Sequence, residues 1–205
     1  MNAGTPATAH TSRTWRIHEI AGDFRLADVW RLPTPGDRDD FPRLVDLFAS
    51  LDPFRSSSRA VRALFAIRVK VGELLHWDER DPAAPPTSSI PRDRLPTDLR
   101  EGPAGPHSAT LPYAPLYLTR DEWAAGVVSR TVDGILHLGW VADETGCYRG
   151  QMAVLVKPHG LLGSLYMAAI GPFRHLVVYP RLMREIEHEW RAPRRGAAAM
   201  TSATA

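Results

Sequence analysis

The run ILHLGWV sets His137 among aliphatic neighbours. Strand alternation puts Ile135, His137, Gly139 and Val141 on one face and Leu136, Leu138 and Trp140 on the other. Both faces are largely apolar, so this imidazole stands in dry surroundings. Burial tunes a histidine for general acid/base work; equally, the ring is a core histidine with both nitrogens hydrogen-bonded. Arg130, between Ser129 and Thr131, interrupts a second apolar stretch. Its planar fork of donors suits a carboxylate or enolate oxygen, unless alternation turns it to solvent. Tyr117 supplies a phenol that can polarise a carbonyl. His137, Arg130 and Tyr117 are the expected catalytic set.

A second polar group lies near the C-terminus. His175 and Tyr179 are four apart and share a helix face, as a pair that orients a ligand or one that meets sheet-edge carbonyls and water. Trp140 and Tyr166 are expected to line the same binding volume, with Glu73 as an acidic contributor; Glu73 and His76 are otherwise two solvated helix-end groups. Glu185-x-x-His188 and Glu73-x-x-His76 each match half of a di-iron carboxylate motif, but the further glutamates have no helices to sit on, so no metal is expected. There is no G-x-S-x-G elbow, P-loop or G-x-G-x-x-G, and no cofactor is expected. Cys147 is the single cysteine, which excludes an intramolecular disulfide and a cysteine-rich zinc site.

These residues need elements to position them. Residues 1–14 are small and polar and read as a disordered tail, as do residues 192–205. One domain is expected over residues 15–191. RLADVWRLPTP reads as a first strand stopped by Pro33 and Pro35. DDFPRLVDLFASL reads as a helix, and SSSRAVRALFAIRVKVGELLHW as a second. Residues 78–112 hold eight prolines in 35 positions and read as a long loop. Five short runs then follow as strands: APLYLTRDEW, AAGVVSRTVDG, ILHLGWVADETG, CYRGQMAVLVKP and LLGSLYMAAIG. Asp133-Gly134 is a hairpin signal, and connections this short favour antiparallel pairing. After Pro172 a last helix carries an apolar stripe of Phe173, Leu176, Val177, Met183, Ile186 and Trp190, with Pro180 bending it. The fold class is therefore α+β, with a curved antiparallel sheet, a long C-terminal helix and two further helices N-terminal to most of the sheet.

That order resembles the helix-grip fold of the birch-pollen-allergen, START and polyketide-cyclase superfamily (SRPBCC), in which a curved sheet grips a helix around an apolar cavity. The segments ADVWRLP, LYLTRDEW, SRTVDGILHLGWV, GQMAVLVKP and above all IGPFRHLVVYPRLMREIEHEW resemble the bacterial domain-of-unknown-function 2867 family, over roughly Ala27 to Trp190. Relatives of this kind are often joined to a nucleotide-binding reductase-like domain, for which this chain has no fingerprint. The resemblance brings no catalytic residues with it.

A net charge of +2 gives no electrostatic support for nucleic-acid binding. The N-terminus lacks a continuous apolar h-region, and no apolar run reaches the length of a membrane span. The expectation is a cytoplasmic protein with a hydrophobic small-molecule ligand, neither nucleic acid nor membrane as partner, and a homodimer left open. The function expected is cofactor-independent cyclase, lyase or isomerase chemistry on an apolar, oxygenated metabolite such as a polyketide. A non-catalytic carrier or sensor is the alternative.

Overall fold

The computed structural model describes residues 4–51, 94–108, 113–129 and 131–193. The expected second helix, Glu73 and Arg130 lie outside the described residues.

Four strands follow one another almost where the sequence places them: β2 (Ala114–Leu118), β3 (Glu122–Val127), β4 (Val132–Ala142) and β5 (Tyr148–Pro158). The early strand β1 (Arg25–Arg31) joins them at the far edge, giving the antiparallel order β1-β5-β4-β3-β2 in an open, curved sheet. The Asp133-Gly134 hairpin expected from sequence is not a turn. Both residues are paired inside β4, and the reversal lies just before them. Ser129 closes it: its hydroxyl donates to the Val132 carbonyl and accepts from the Val132 N–H, so no glycine is required.

The fifth expected strand, LLGSLYMAAIG, is helical. After α1 (Thr8–Thr11), α2 (Ile17–Ile20), α3 (Phe41–Ser50) and α4 (Thr97–Glu101) among the described residues, one continuous helix runs Gly160–Arg191, composed of α5 (Gly160–Phe173), a π-helical turn (Arg174–Val178) and α6 (Tyr179–Arg191). Leucine, methionine and alanine are strong helix formers, and no β-branched residue precedes Ile170, so helix propensity outweighs the short-run strand reading. Pro172 is therefore inside the helix rather than at its start. In the π turn the Tyr179 N–H reaches back five residues to the Arg174 carbonyl. This wider turn immediately precedes Pro180, whose ring otherwise strikes the carbonyl four residues back. The inserted residue also shifts the helix phase. Met183, Ile186 and Trp190 are buried as expected, but Tyr179 joins them while Leu176 is 77 % exposed.

Each sheet face carries its own layer. On one, α6 and the helix Phe41–Ser50 pack against Trp30, Met152, Leu138, Trp123 and Trp140. Trp190 lies 6.0 Å from Trp140, and Arg43 covers the Trp190 ring at 4.3 Å. This half of the sheet–helix interface is filled with side chains. The other face is covered by the N-terminal segment and by a short helix, Thr97–Glu101, inside the proline-rich stretch. The expected disordered tail is thus ordered from Gly4. The Thr5 N–H bonds the Val29 carbonyl, Thr8–Thr11 forms a helical turn, and Trp15, Ile17 and Ile20 are core.

Candidate functional site

One row of residues crosses all five strands on the N-terminal face. Val29 pairs with Ala153, Ala153 with His137, His137 with Ala124, and Ala124 with Tyr117. The two alanines leave space beside His137, and His10 and Trp15 fill it edge-on, at 5.0 and 5.4 Å between ring centroids. Gly139 makes room for Trp15, whose ring stands 2.7 Å from where a Cβ would be.

Within this layer His137 Nε2 lies 3.2 Å from Glu122 Oε2, and the Tyr117 hydroxyl donates to the same oxygen at 3.0 Å. The Arg16 N–H donates to Glu122 Oε1 at 2.9 Å. Behind His137, His10 Nε2 is 3.1 Å from its Nδ1, and His18 Nε2 is 3.2 Å from His10 Nδ1. With every ring neutral, one set of tautomers serves all contacts: each Nε2–H donates one step closer to Glu122. Burial works to raise Glu122, but the bonds from His137, the Arg16 N–H and Tyr117 outweigh it and hold the carboxyl below its ordinary range. Burial lowers His137 against the pull of Glu122. Burial and then the Glu122 charge push the Tyr117 phenol up. His137 and Tyr117, both expected in the catalytic set, therefore do meet, through Glu122. Both are fully enclosed, and both ring nitrogens of His137 are engaged. A cleft of about 580 Å³ lined by Arg13, Trp15, Arg16, Asp121 and Glu122 borders this network.

The helix-bearing face holds the second cluster. A bulge at Ala27 switches the alternation of β1, so that Leu26 and Val29 face one layer and Asp28 and Trp30 the other. Asp28 is thereby driven under the helix, its side chain without solvent exposure. The π turn brings three side chains onto it. The Tyr179 hydroxyl donates to Asp28 Oδ2 at 2.7 Å, Arg174 Nη2 is 3.2 Å from the same oxygen, and His175 Nε2 is 2.8 Å from Oδ1. The imidazole contact is short but not aligned as a hydrogen bond, which leaves Asp28 Oδ1 without a formal partner among the described residues; Arg174 Nε is in the same position. Burial, and then the Asp28 charge, push Tyr179 up, so it remains a neutral donor. Trp30 lies against Tyr179 at 4.7 Å and His175 at 6.0 Å. His175 is half-exposed, and the sheet floor next to Asp28, Val154 and then Leu136, is only partly covered.

His175 and Tyr179 thus converge as expected. Trp140 does not join them: it packs in the filled half of the interface, its indole N–H on the Asp37 carbonyl, and it lines the cleft beside Glu122 instead. Tyr166 is half-buried on α5, roughly two and a half turns before His175. Asp28, Glu122, His10 and His18 were not anticipated. A signal existed for Asp28, an acid at an inward position of an apolar strand. Nothing marked His10, which sits in a small polar stretch far from its partners. Among the described residues no three His, Cys, Asp or Glu side chains are grouped to hold a metal ion.

A five-stranded antiparallel sheet covered on both faces, with a long C-terminal helix pinned to its edge strand, is the class of protein these features define. The chain belongs to the DUF2867 family, described as a protein of unknown function, whose profile matches residues 20–181. That span contains Asp28, Arg174, His175 and Tyr179. No curated protein and no solved structure matches the chain.

Proposed function

We propose that this is a cytoplasmic protein of the helix-grip class that binds an apolar, oxygenated small molecule beside the π turn and acts on it without a cofactor. The observation that carries the reading is the buried Asp28, one oxygen lacking an aligned partner, facing a half-exposed His175. A carboxylate behind an imidazole fixes its tautomer and balances the charge of the imidazolium. Catalytic hydrogen bonds in an empty site are commonly misaligned and tighten when substrate binds.

With Nε2–H toward Asp28, Nδ1 of His175 is the free base. It takes a proton from a carbon next to a carbonyl, and the electron pair moves onto the carbonyl oxygen, where the Arg174 guanidinium stabilises it. Return of the proton to another carbon gives isomerisation, expulsion of a β-substituent gives elimination, and attack on a second carbonyl gives cyclisation. The half-covered Val154 and Leu136 supply an apolar floor for the remainder of the ligand.

The test uses a medium-chain methyl ketone in D2O. Exchange of its α-protons, followed by NMR, is expected with the wild type and abolished in His175→Ala, while ketone-dependent thermal stabilisation persists in both. Stabilisation without exchange in the wild type supports the second reading, a carrier or sensor. The ion pairs that already engage Asp28 favour that alternative. Neither exchange nor stabilisation removes both readings.

A further inference from the structure

The first half of the C-terminal helix is exposed where a protein surface is ordinarily polar. Leu161, Leu162, Leu165 and Leu176 are 91, 59, 68 and 77 % exposed, with Ala168, Ala169 and Pro172 exposed between them. From Gly160 to Phe173 there is no charged residue. Contiguous apolar surface of this kind marks a contact, because water pays it no compensating hydrogen bonds. By length and composition the helix Gly160–Arg191 is long and apolar enough to cross a membrane, against the sequence expectation that no run reaches that length. Met167, Tyr179, Met183, Ile186 and Trp190 of the same helix are held in the core, so one side is committed to the protein.

The charge pattern points to the occupant. Between Lys157 and Arg184 there is no Asp or Glu, whereas Lys157, Arg174, Arg181 and Arg184 are all cationic. Lys157 and Arg174 are tied to Asp23 and Asp28, but Arg181 and Arg184 are exposed, just past the apolar face. Leucines that enter the acyl boundary, followed by arginines at headgroup depth, are the arrangement of a helix lying in the interface of an anionic bilayer. We infer that the exposed face of α5, together with Leu176, Arg181 and Arg184, docks this protein on an anionic membrane surface. This departs from the sequence expectation of no membrane partner.

Co-sedimentation with vesicles tests it. The full chain is expected to pellet with phosphatidylcholine vesicles containing roughly a third phosphatidylglycerol, and less with phosphatidylcholine alone. Leu161→Asp/Leu165→Asp removes two exposed side chains and leaves the fold intact by circular dichroism, yet its partition coefficient drops by about tenfold or more. Arg181→Gln/Arg184→Gln lowers binding to the anionic vesicles and leaves the neutral ones unchanged. Wild type remaining in the supernatant with both compositions overturns the inference, as does a leucine double variant that pellets like wild type. A dimer by light scattering that the leucine variant converts to monomer, without vesicle binding by either, assigns the face to a second copy instead.

Discussion

At the scale of single residues, the two polar clusters differ in how completely their groups are satisfied. Glu122 accepts from Tyr117, His137 and the Arg16 N–H, a full set for a buried carboxylate. Asp28 is enclosed as deeply but has one aligned donor, the Tyr179 hydroxyl, and two ion-pair contacts. Removing one donor from a buried carboxylate costs about 1–3 kcal/mol, because the charge loses a bond that water cannot replace. Tyr179→Phe should therefore lower the unfolding free energy in urea by about that amount. An unchanged midpoint would mean that Arg174 and His175 already carry Asp28 unaided. The sequence makes His137, His175 and Tyr179 visible because ring residues stand out in apolar runs. Their carboxylate partners come from other strands, Glu122 from the neighbouring β3 and Asp28 from β1, and only the three-dimensional pairing brings Asp28 within 2.7 Å of a hydroxyl 151 residues away.

Among the elements, the C-terminal helix shows where periodicity reads well and where it fails. Its second half was legible, since Met183, Ile186 and Trp190 keep a regular helical phase into the core. The phase of Leu176 was not, because a straight helix of 3.6 residues per turn does not contain the extra residue of the π turn. The first half was misread as a strand, since a short apolar run fits both periods. Gly163 is where that half enters the fold. A Cβ there would stand 2.1 Å from the Thr131 carbonyl oxygen, which is backbone and has little freedom to retreat. Helix propensity alone makes Gly→Ala favourable by roughly 0.8–1 kcal/mol. Overpacking against main chain costs about 1–3 kcal/mol and reverses the sign. Thermal denaturation of Gly163→Ala should show a lower midpoint than wild type; a raised one would mean that the helix stands far enough from the β3–β4 turn to admit a methyl group.

For the molecule as a whole, the layer beneath His137 makes stability depend on pH. Burial, helped by His137 and His18 and opposed by Glu122, holds His10 at about 3, well under its ordinary 6.5. His137 is lowered too, with burial the main cause. The unfolded chain takes up these protons first as the solution is acidified. The stabilising contribution is therefore fully present above pH 6.5 and is lost as pH falls from there toward 3. Glu122, itself held low, adds loss of the same sign below its ordinary 4.5. Each proton taken up only by the unfolded chain shifts the equilibrium about tenfold per pH unit. The urea midpoint should fall steadily between pH 6.5 and 4.5, and more shallowly in His10→Gln. Equal slopes would show that protonation elsewhere governs the acid limb. The α+β class, the antiparallel order of four strands and the two faces of β4 were all legible from alternation and short connections. The N-terminal cover was not, because its few anchors are dispersed among small polar residues.

The sheet order has a consequence for biosynthesis. β1 leaves the ribosome before β5, yet among the described residues β5 is its one ladder partner, and His10 finds His137 across 127 positions of chain. The edge strand must wait for β5, and the segment that covers the histidines for β4, before either finds its partner. Long-range closures of this kind fold slowly and expose apolar surface in the interval. Nascent chains halted before Tyr148 should accordingly be the ones that chaperones hold.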